Sequence, residues 1–233
     1  QFTHVQNVDT VSALMTGRPA REVVDDLIAF LRSKRDPSKP FFVYLGTPGP
    51  HDPRYATKEF YDLYQDETMP LPSNFRSVHP FNNGEMTIRD EKLEKWPREP
   101  RAVQRRLHDY YSAISSMDYD FGRLFAALAE LHLMENTIII FCSDQGIAIG
   151  SHGLMGKQNL YESTMKVPLL FAGPGISPGE SNALVYLTDI FPTIASFAGS
   201  PPPEKLDGVS LVPVIRGDVS RVRETVLLAY RNV

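Results

Sequence analysis

The chain has 233 residues, with 24 Lys and Arg against 28 Asp and Glu, 42% hydrophobic residues and a net charge of −4. This length gives one large domain or two small ones with a substantial core, and the charge balance excludes nucleic acid as the main partner, because phosphate recognition needs a concentrated basic face. No apolar run approaches the roughly 18 residues of a transmembrane helix, and the single cysteine, Cys142, excludes an internal disulfide framework or a multi-cysteine zinc site.

Gln1-Phe-Thr-His-Val carries neither an initiator Met nor a signal peptide, and Leu227–Val233 reads as mid-strand, so the chain reads as a fragment. Its compartment, periplasmic or extracellular or cytoplasmic, stays open. In residues 19–35, Val23, Val24, Leu27, Ile28 and Leu31 recur at helical spacing, and Asp36-Pro37-Ser-Lys-Pro40 breaks the helix. Phe41–Leu45 is a short apolar run of β-formers and predicts a buried strand, left by the loop Gly46–Pro53. Residues 54–100 hold much of the Pro, Asn and charge and predict an irregular excursion with one short helix near Lys58–Tyr64.

From Arg101 to His132 apolar residues recur at three and four, which predicts a long amphipathic helix with Gly122 as the place for a kink. Within it, Arg101, Arg105 and Arg106 read as a solvated face. Asn136–Cys142 predicts a second buried strand, Val167–Ala172 a third, and Leu184–Ala198 a strand fragment followed by a helix ending at Gly199. There is no internal repeat. Strands alternating with helices indicate an α/β sheet covered on both faces, in which ligands gather at the carboxyl ends of strands.

Three groups stand at such ends. Ser143-Asp144-Gln145-Gly146 follows the second strand, and a carboxylate beside a neutral amide suits a hard cation that takes oxygen ligands. An Asp in this position also commonly caps the next turn. His152-Gly-Leu-Met-Gly-Lys157 offers an ammonium group to an oxyanion, or simply a solvated loop lysine. It is not a phosphate-cradling loop, since Ser151 and Gln158 stand where that motif needs Gly and Ser or Thr. His51, in Pro50-His51-Asp52-Pro53, is placed for acid–base work or for a backbone hydrogen bond. His4, His79, His108 and His132 read as surface, Cys142 as a buried inert thiol, and Glu162 with Lys166 as a helical ion pair.

Asn136–Glu162, with its Ser-Asp144-Gln145-Gly and His152-Gly-Leu-Met-Gly-Lys157, closely resembles the sulfatase family of the alkaline phosphatase superfamily. So do Phe41–Pro53, Val167–Gly175 and Thr188-Asp-Ile-Phe-Pro-Thr193, in family order between about residues 37 and 217. The resemblance implies an alkaline phosphatase-like fold: a mixed, largely parallel central sheet with helices on both faces, here as an incomplete domain. It implies that residues 1–233 are the C-terminal portion of a single catalytic domain, with 54–100 walling the active site. Asp144 and Gln145 then become ligands of a divalent cation, usually Ca2+, with Gln where relatives more often carry Asn or His. Lys157, twelve residues after Gln145, falls at the sulfate-binding lysine, and His51 at a histidine contacting the sulfate or the leaving-group oxygen. His152 matches a family histidine beside the substrate.

Departures from the pattern are also visible. Pro48 replaces a further histidine. The C/S-x-P-x-R motif that yields the formylglycine nucleophile does not occur, and Cys142, followed by Ser-Asp-Gln, cannot supply it. Two adjacent aspartate ligands are absent too, since Asp25-Asp26 lies inside a helix. The nucleophile motif and the aspartate pair are expected upstream of residue 1. The expected activity is hydrolysis of a small-molecule or carbohydrate sulfate ester to alcohol and sulfate by the complete protein, with this fragment inactive alone. The alternatives are a phosphonate or phosphodiester hydrolase of the same superfamily and a non-catalytic anion- or glycan-binding remnant.

Overall fold

The structure, a computed structural model, describes residues 9–13, 20–65, 68–200, 202 and 205–230. In chain order the elements are β1 (Asp9–Ala13), α1 (Ala20–Ala29), β2 (Phe41–Leu45), α2 (Lys58–Tyr61), α3 (Pro100–Glu130), β3 (Ile139–Cys142), α4 (Glu162–Met165), β4 (Leu169–Ala172), α5 (Ile190–Phe197) and α6 (Val212–Ile215). Val23, Val24 and Leu27 give α1 one buried stripe, and the helix widens into a π-type turn over Phe30–Lys34. It stops where Asp36 accepts hydrogen bonds from the N–H and hydroxyl of Ser38, at 2.9 and 2.6 Å.

β2 forms over the residues expected, though it is covered on one face only, and pairs in parallel with β1, a strand the sequence pattern did not signal, from Asp9↔Phe41 to Ala13↔Leu45. β3 and β4 form an antiparallel ladder from Ile139↔Ala172 to Cys142↔Leu169. The two ladders are thus one of each kind. Residues alternate across a strand, so Phe41, Val43 and Leu45 turn toward α1 and α3 while Phe42 and Tyr44 are exposed. β3 is less covered than its apolar run predicts: Ile139 joins the core, but Phe141 and Cys142 are exposed, so the thiol is not the buried one expected.

Helix α3 organises the rest. Its 31 residues run unbroken through Gly122 and span about 46 Å at about 1.5 Å per residue. Toward its C-terminus, Leu124 and Leu128 close a core with Val24, Leu27, Phe30 and Leu31 of the first helix, flanked by β2 and by Ile139. Toward its N-terminus, Val103 and Leu107 build a second core with Met69, Ile149 and Met155. Asp120 fixes α3 to α1: its carboxylate, 1% exposed as a residue, accepts from Arg123 at 3.0 Å and Arg21 at 3.4 Å.

Leu184–Tyr186 is irregular rather than a strand. The backbone N–H of Tyr186 instead donates to Asp189 at 2.7 Å, opening the turn Leu187–Asp189 that feeds α5. The same buried carboxylate accepts from Val209 N–H at 2.9 Å and from both terminal nitrogens of Arg223, at 2.6 and 2.7 Å. Leu227–Tyr230 is likewise irregular, and residues 231–233 lie outside the described residues. No helix among the described residues is long and apolar enough to cross a membrane.

Candidate functional site

His51 stands on the loop leaving β2, exposed, with its backbone N–H donating to Pro48 O at 3.1 Å. Its Nδ1 lies 2.7 Å from the carbonyl of Asp52. A carbonyl can only accept, so Nδ1 carries a hydrogen and Nε2 is the nitrogen left to work outward. The loop lies close over α3: a Cβ on Gly49 would come within 2.8 Å of Met117 Sδ. Just past it, the buried Arg54 side chain sits over the Tyr110 ring at 5.4 Å and pairs with Asp52 at 3.3 Å. Burial pulls the Arg54 pKa below its ordinary value. Asp52, Pro53, Arg54, Arg89, Leu93, Arg106 and Asp109 line an open cleft of about 470 Å³ that begins one residue from His51. Arg106, read as solvated, donates across it to Leu93 O at 2.5 Å.

The second group is built on the fold-back from β3 to α4. Asp144 and Gln145 are exposed at the end of β3, with Ser143 Oγ donating to Gln145 O at 2.9 Å. Partial burial first, and then the Asp144 carboxylate, push the Cys142 thiol above its ordinary value. Gly146 N–H donates to Thr164 O at 2.9 Å and Ala148 N–H to Gly156 O at 3.0 Å. These bonds hold the Asp144–Gln145 pair and Lys157 on one folded-back loop, whose Ile149 and Met155 are seated in the second core. Left-handed backbone at Ile149 (φ 40°) and His152 (φ 55°) makes the turn between them a strained one.

His152 stacks on Tyr161 at 3.8 Å, and its Nε2 faces the Asn74 amide nitrogen at 3.0 Å, so that nitrogen accepts. Its carbonyl accepts from Nδ1 of His79 at 2.8 Å. His79 is therefore 4% exposed, not a surface residue. His108 is also drawn in, with Nε2 3.0 Å from Tyr61 O, whereas His132 is exposed and His4 lies outside the described residues.

Asp90 and Glu91 went unnoticed in the sequence because no local pattern marks them; both are 4% exposed and reach the Lys157 loop. Glu91 accepts from Met155 N–H at 3.0 Å and Gly156 N–H at 2.9 Å, and is ion-paired with the buried Arg98. Burial works against the Asp90 carboxylate ion, but Gln158, Arg89 and the Lys157 charge outweigh it and hold its pKa below the ordinary value.

Asp144 and Gln145 are hard oxygen donors and fit a dication such as calcium in kind. They fall short in number of the six to eight oxygens it takes, and among the described residues no three His, Cys, Asp or Glu side chains come together as a cation site.

A sulfatase family model matches residues 3–200. A choline-sulfatase of Rhizobium meliloti (strain 1021) is 32% identical over 225 residues, covering 88% of this chain and 43% of the relative. An arylsulfatase of Clostridium perfringens (strain 13 / Type A) is 34% identical over 202 residues, 84% of this chain and 42% of the relative. The chain thus spans less than half the length of these relatives. Among solved structures, a protein in complex with its substrate D-glucosamine-2-N,6-O-disulfate superposes with TM-score 0.71 at 22% identity, over 90% of this chain and 54% of that one. The phosphonate monoester hydrolase of Agrobacterium radiobacter gives 0.69 at 22%, over 91% and 45%. Those two likenesses establish an alkaline phosphatase-like fold. Since the matched span takes in both candidate loops and both ladders, the chain belongs to the sulfatase family of the alkaline phosphatase superfamily.

Proposed function

We propose that the protein to which this chain belongs hydrolyses a sulfate ester to an alcohol and inorganic sulfate. The observation that carries the reading is the fold-back holding the Asp144–Gln145 oxygens and the Lys157 ammonium on one hydrogen-bonded loop, in a chain of the sulfatase family. A sulfate monoester is an anion attacked by an oxygen nucleophile, so neutralising charge is the main demand. Lys157 offers its ammonium to the sulfuryl oxygens. His51, with Nδ1 tied to Asp52 O, presents Nε2–H of its imidazolium form to the departing alkoxide, a role contributing roughly 10²–10⁴-fold. His152, already bonded through Nε2 and stacked on Tyr161, keeps Nδ1–H for a substrate oxygen or for shaping the pocket.

The cleft beside His51, with three guanidinium and two carboxylate groups, supports a place for a hydroxylated leaving group, and the 54–100 excursion contributes Arg54, Arg89 and Leu93 to its wall. Asp144 and Gln145 would hold a divalent cation, with further donors from elsewhere in a longer protein. When bound, that cation supplies Lewis-acid stabilisation of the sulfuryl group. The nucleophile motif C/S-x-P-x-R is likewise assigned to the remainder of a protein of which these residues match less than half.

The test is turnover by the full-length protein of matched aryl sulfate, phosphonate monoester and phosphodiester substrates, with release of inorganic sulfate as readout. Faster phosphonate or phosphodiester cleavage overturns the sulfatase assignment, and absence of all turnover in the calcium-loaded protein points to a binding remnant. His51→Ala is expected to lose far more activity on a poor leaving group than on an activated aryl sulfate. Equal losses remove its role as proton donor.

A further inference from the structure

We infer that Asp90 and Glu91 are positioning residues for Lys157, gripping the backbone that leads into it so that its ammonium group is presented at a fixed place. The inference deepens the reading above and rests on the role given there to Lys157. On the upstream side, the two oxygens of Glu91 accept from Met155 N–H at 3.0 and 3.2 Å, and one of them accepts from Gly156 N–H at 2.9 Å. At the lysine itself, the Lys157 N–H donates to Oε1 of Gln158 at 3.1 Å, and Nε2 of Gln158 donates to Asp90 at 3.1 Å. Two consecutive residues of the excursion therefore hold, directly or through Gln158, the three successive N–H groups of Met155, Gly156 and Lys157.

The grip is itself braced. Arg98, 1% exposed, is ion-paired with Glu91, donates to the backbone oxygens of Glu91 at 2.9 Å and Gly153 at 3.2 Å, and lies over the Trp96 ring at 3.6 Å. Asp90 is held by Arg89 Nε at 2.8 Å. A buried ion pair is a poor device for stability, because apolar groups of the same shape commonly do as well or better. It is a good device for geometry, since each bond has one direction and one length. A lysine on four methylenes is otherwise a mobile point charge, and a displacement of about 1 Å at a reacting group is enough for about a 100-fold loss.

The experiment uses the full-length protein, an aryl sulfate as substrate and inorganic sulfate as competitive inhibitor. Gln158→Ala and Glu91→Gln are expected to raise KM and the sulfate inhibition constant by about 10- to 100-fold, while the dependence of rate on leaving group stays parental. Asp90→Asn, which keeps an acceptor for Gln158, should lie closer to the parent than Asp90→Ala. Combined with Lys157→Ala, neither change should weaken sulfate binding further, because residues acting through one group are not additive. Losses that multiply with that of Lys157→Ala, or a parental inhibition constant in Gln158→Ala, overturn the positioning role. If Glu91→Gln fails to fold, the half-buried Gln158 still decides the matter. An unaltered sulfate constant in Lys157→Ala removes the lysine's own role, a separate failure recognised by that single variant, and the proposal falls with it.

Discussion

Gly146 directly follows the Asp144–Gln145 pair, and its packing sets a sharp expectation for Gly146→Ala. A Cβ there would sit 2.1 Å from Ser163 O, 3.0 Å from Ser163 C and 3.1 Å from Thr164 Cα, all of them backbone atoms with no rotamer to move. A carbon and a carbonyl oxygen approach to about 3.3 Å, so the two chain segments must part by about 1.2 Å. That movement breaks the 2.9 Å bond from Gly146 N–H to Thr164 O. Forced overpacking costs about 1–3 kcal/mol and the lost hydrogen bond about 1 kcal/mol, together about 2–4 kcal/mol of folding stability. The same shift moves the Asp144 carboxylate relative to Lys157 and predicts about a 100-fold loss of turnover in the full-length protein. Denaturant unfolding followed by circular dichroism reads the first quantity, and sulfate release the second. A variant within 0.5 kcal/mol of the parent, an ordinary surface effect, and with parental activity would refute the close-packed fold-back.

The Asp189–Arg223 pair predicts a pH signature. Burial disfavours the Asp189 carboxylate ion, but hydrogen bonds from Arg223, Tyr186 and Val209 outweigh this and place its pKa below the ordinary value. A group depressed in the folded state stabilises above its unfolded pKa of about 3.9, and that stability is lost as pH falls through the folded value. Asp189→Asn should therefore lose about 3–5 kcal/mol at pH 7 and show a flatter decline on acidification, measured by denaturant unfolding at pH 7 and pH 3. An unchanged acid limb counts against the pair. With two oxygen donors in place of six to eight, the 233 residues alone should bind calcium weakly and release no sulfate from an aryl sulfate; tight calcium binding by titration calorimetry, or turnover, contradicts the division of the site proposed above.

Periodic segments were the legible ones. The apolar spacing of Val23–Leu31 and of Leu107–Leu128 specified two helices, and the run Phe41–Leu45 a strand, because each buries a face that its own sequence marks. The candidate loops were legible as residue types in order. What braces them was not: Glu91 meets Gly156 and Arg98 meets Gly153 across separations of 65 and 55 residues, and such pairings leave no local pattern. His79 was misread for the same reason, since its partner is the backbone of His152. At Leu184–Tyr186 the apolar residues suggested a strand, but a carboxylate three residues on supplied a cap and the chain turned instead. Cys142 shows the converse: an apolar run predicts what a strand can bury, not what covers it.

The long helix α3 acts as a ruler. Its Val103 and Leu107 seat the Lys157 loop, while Tyr110 and Met117 lie beneath the His51 loop. Because a helix advances about 1.5 Å and turns about 100° with each residue, inserting one residue between Leu107 and Tyr110 would barely lengthen the rod. It would swing the far seat round by more than a quarter circle. The count of residues along this stretch, more than their identity, thus fixes where an imidazole can stand relative to an amine carried by a distant part of the chain.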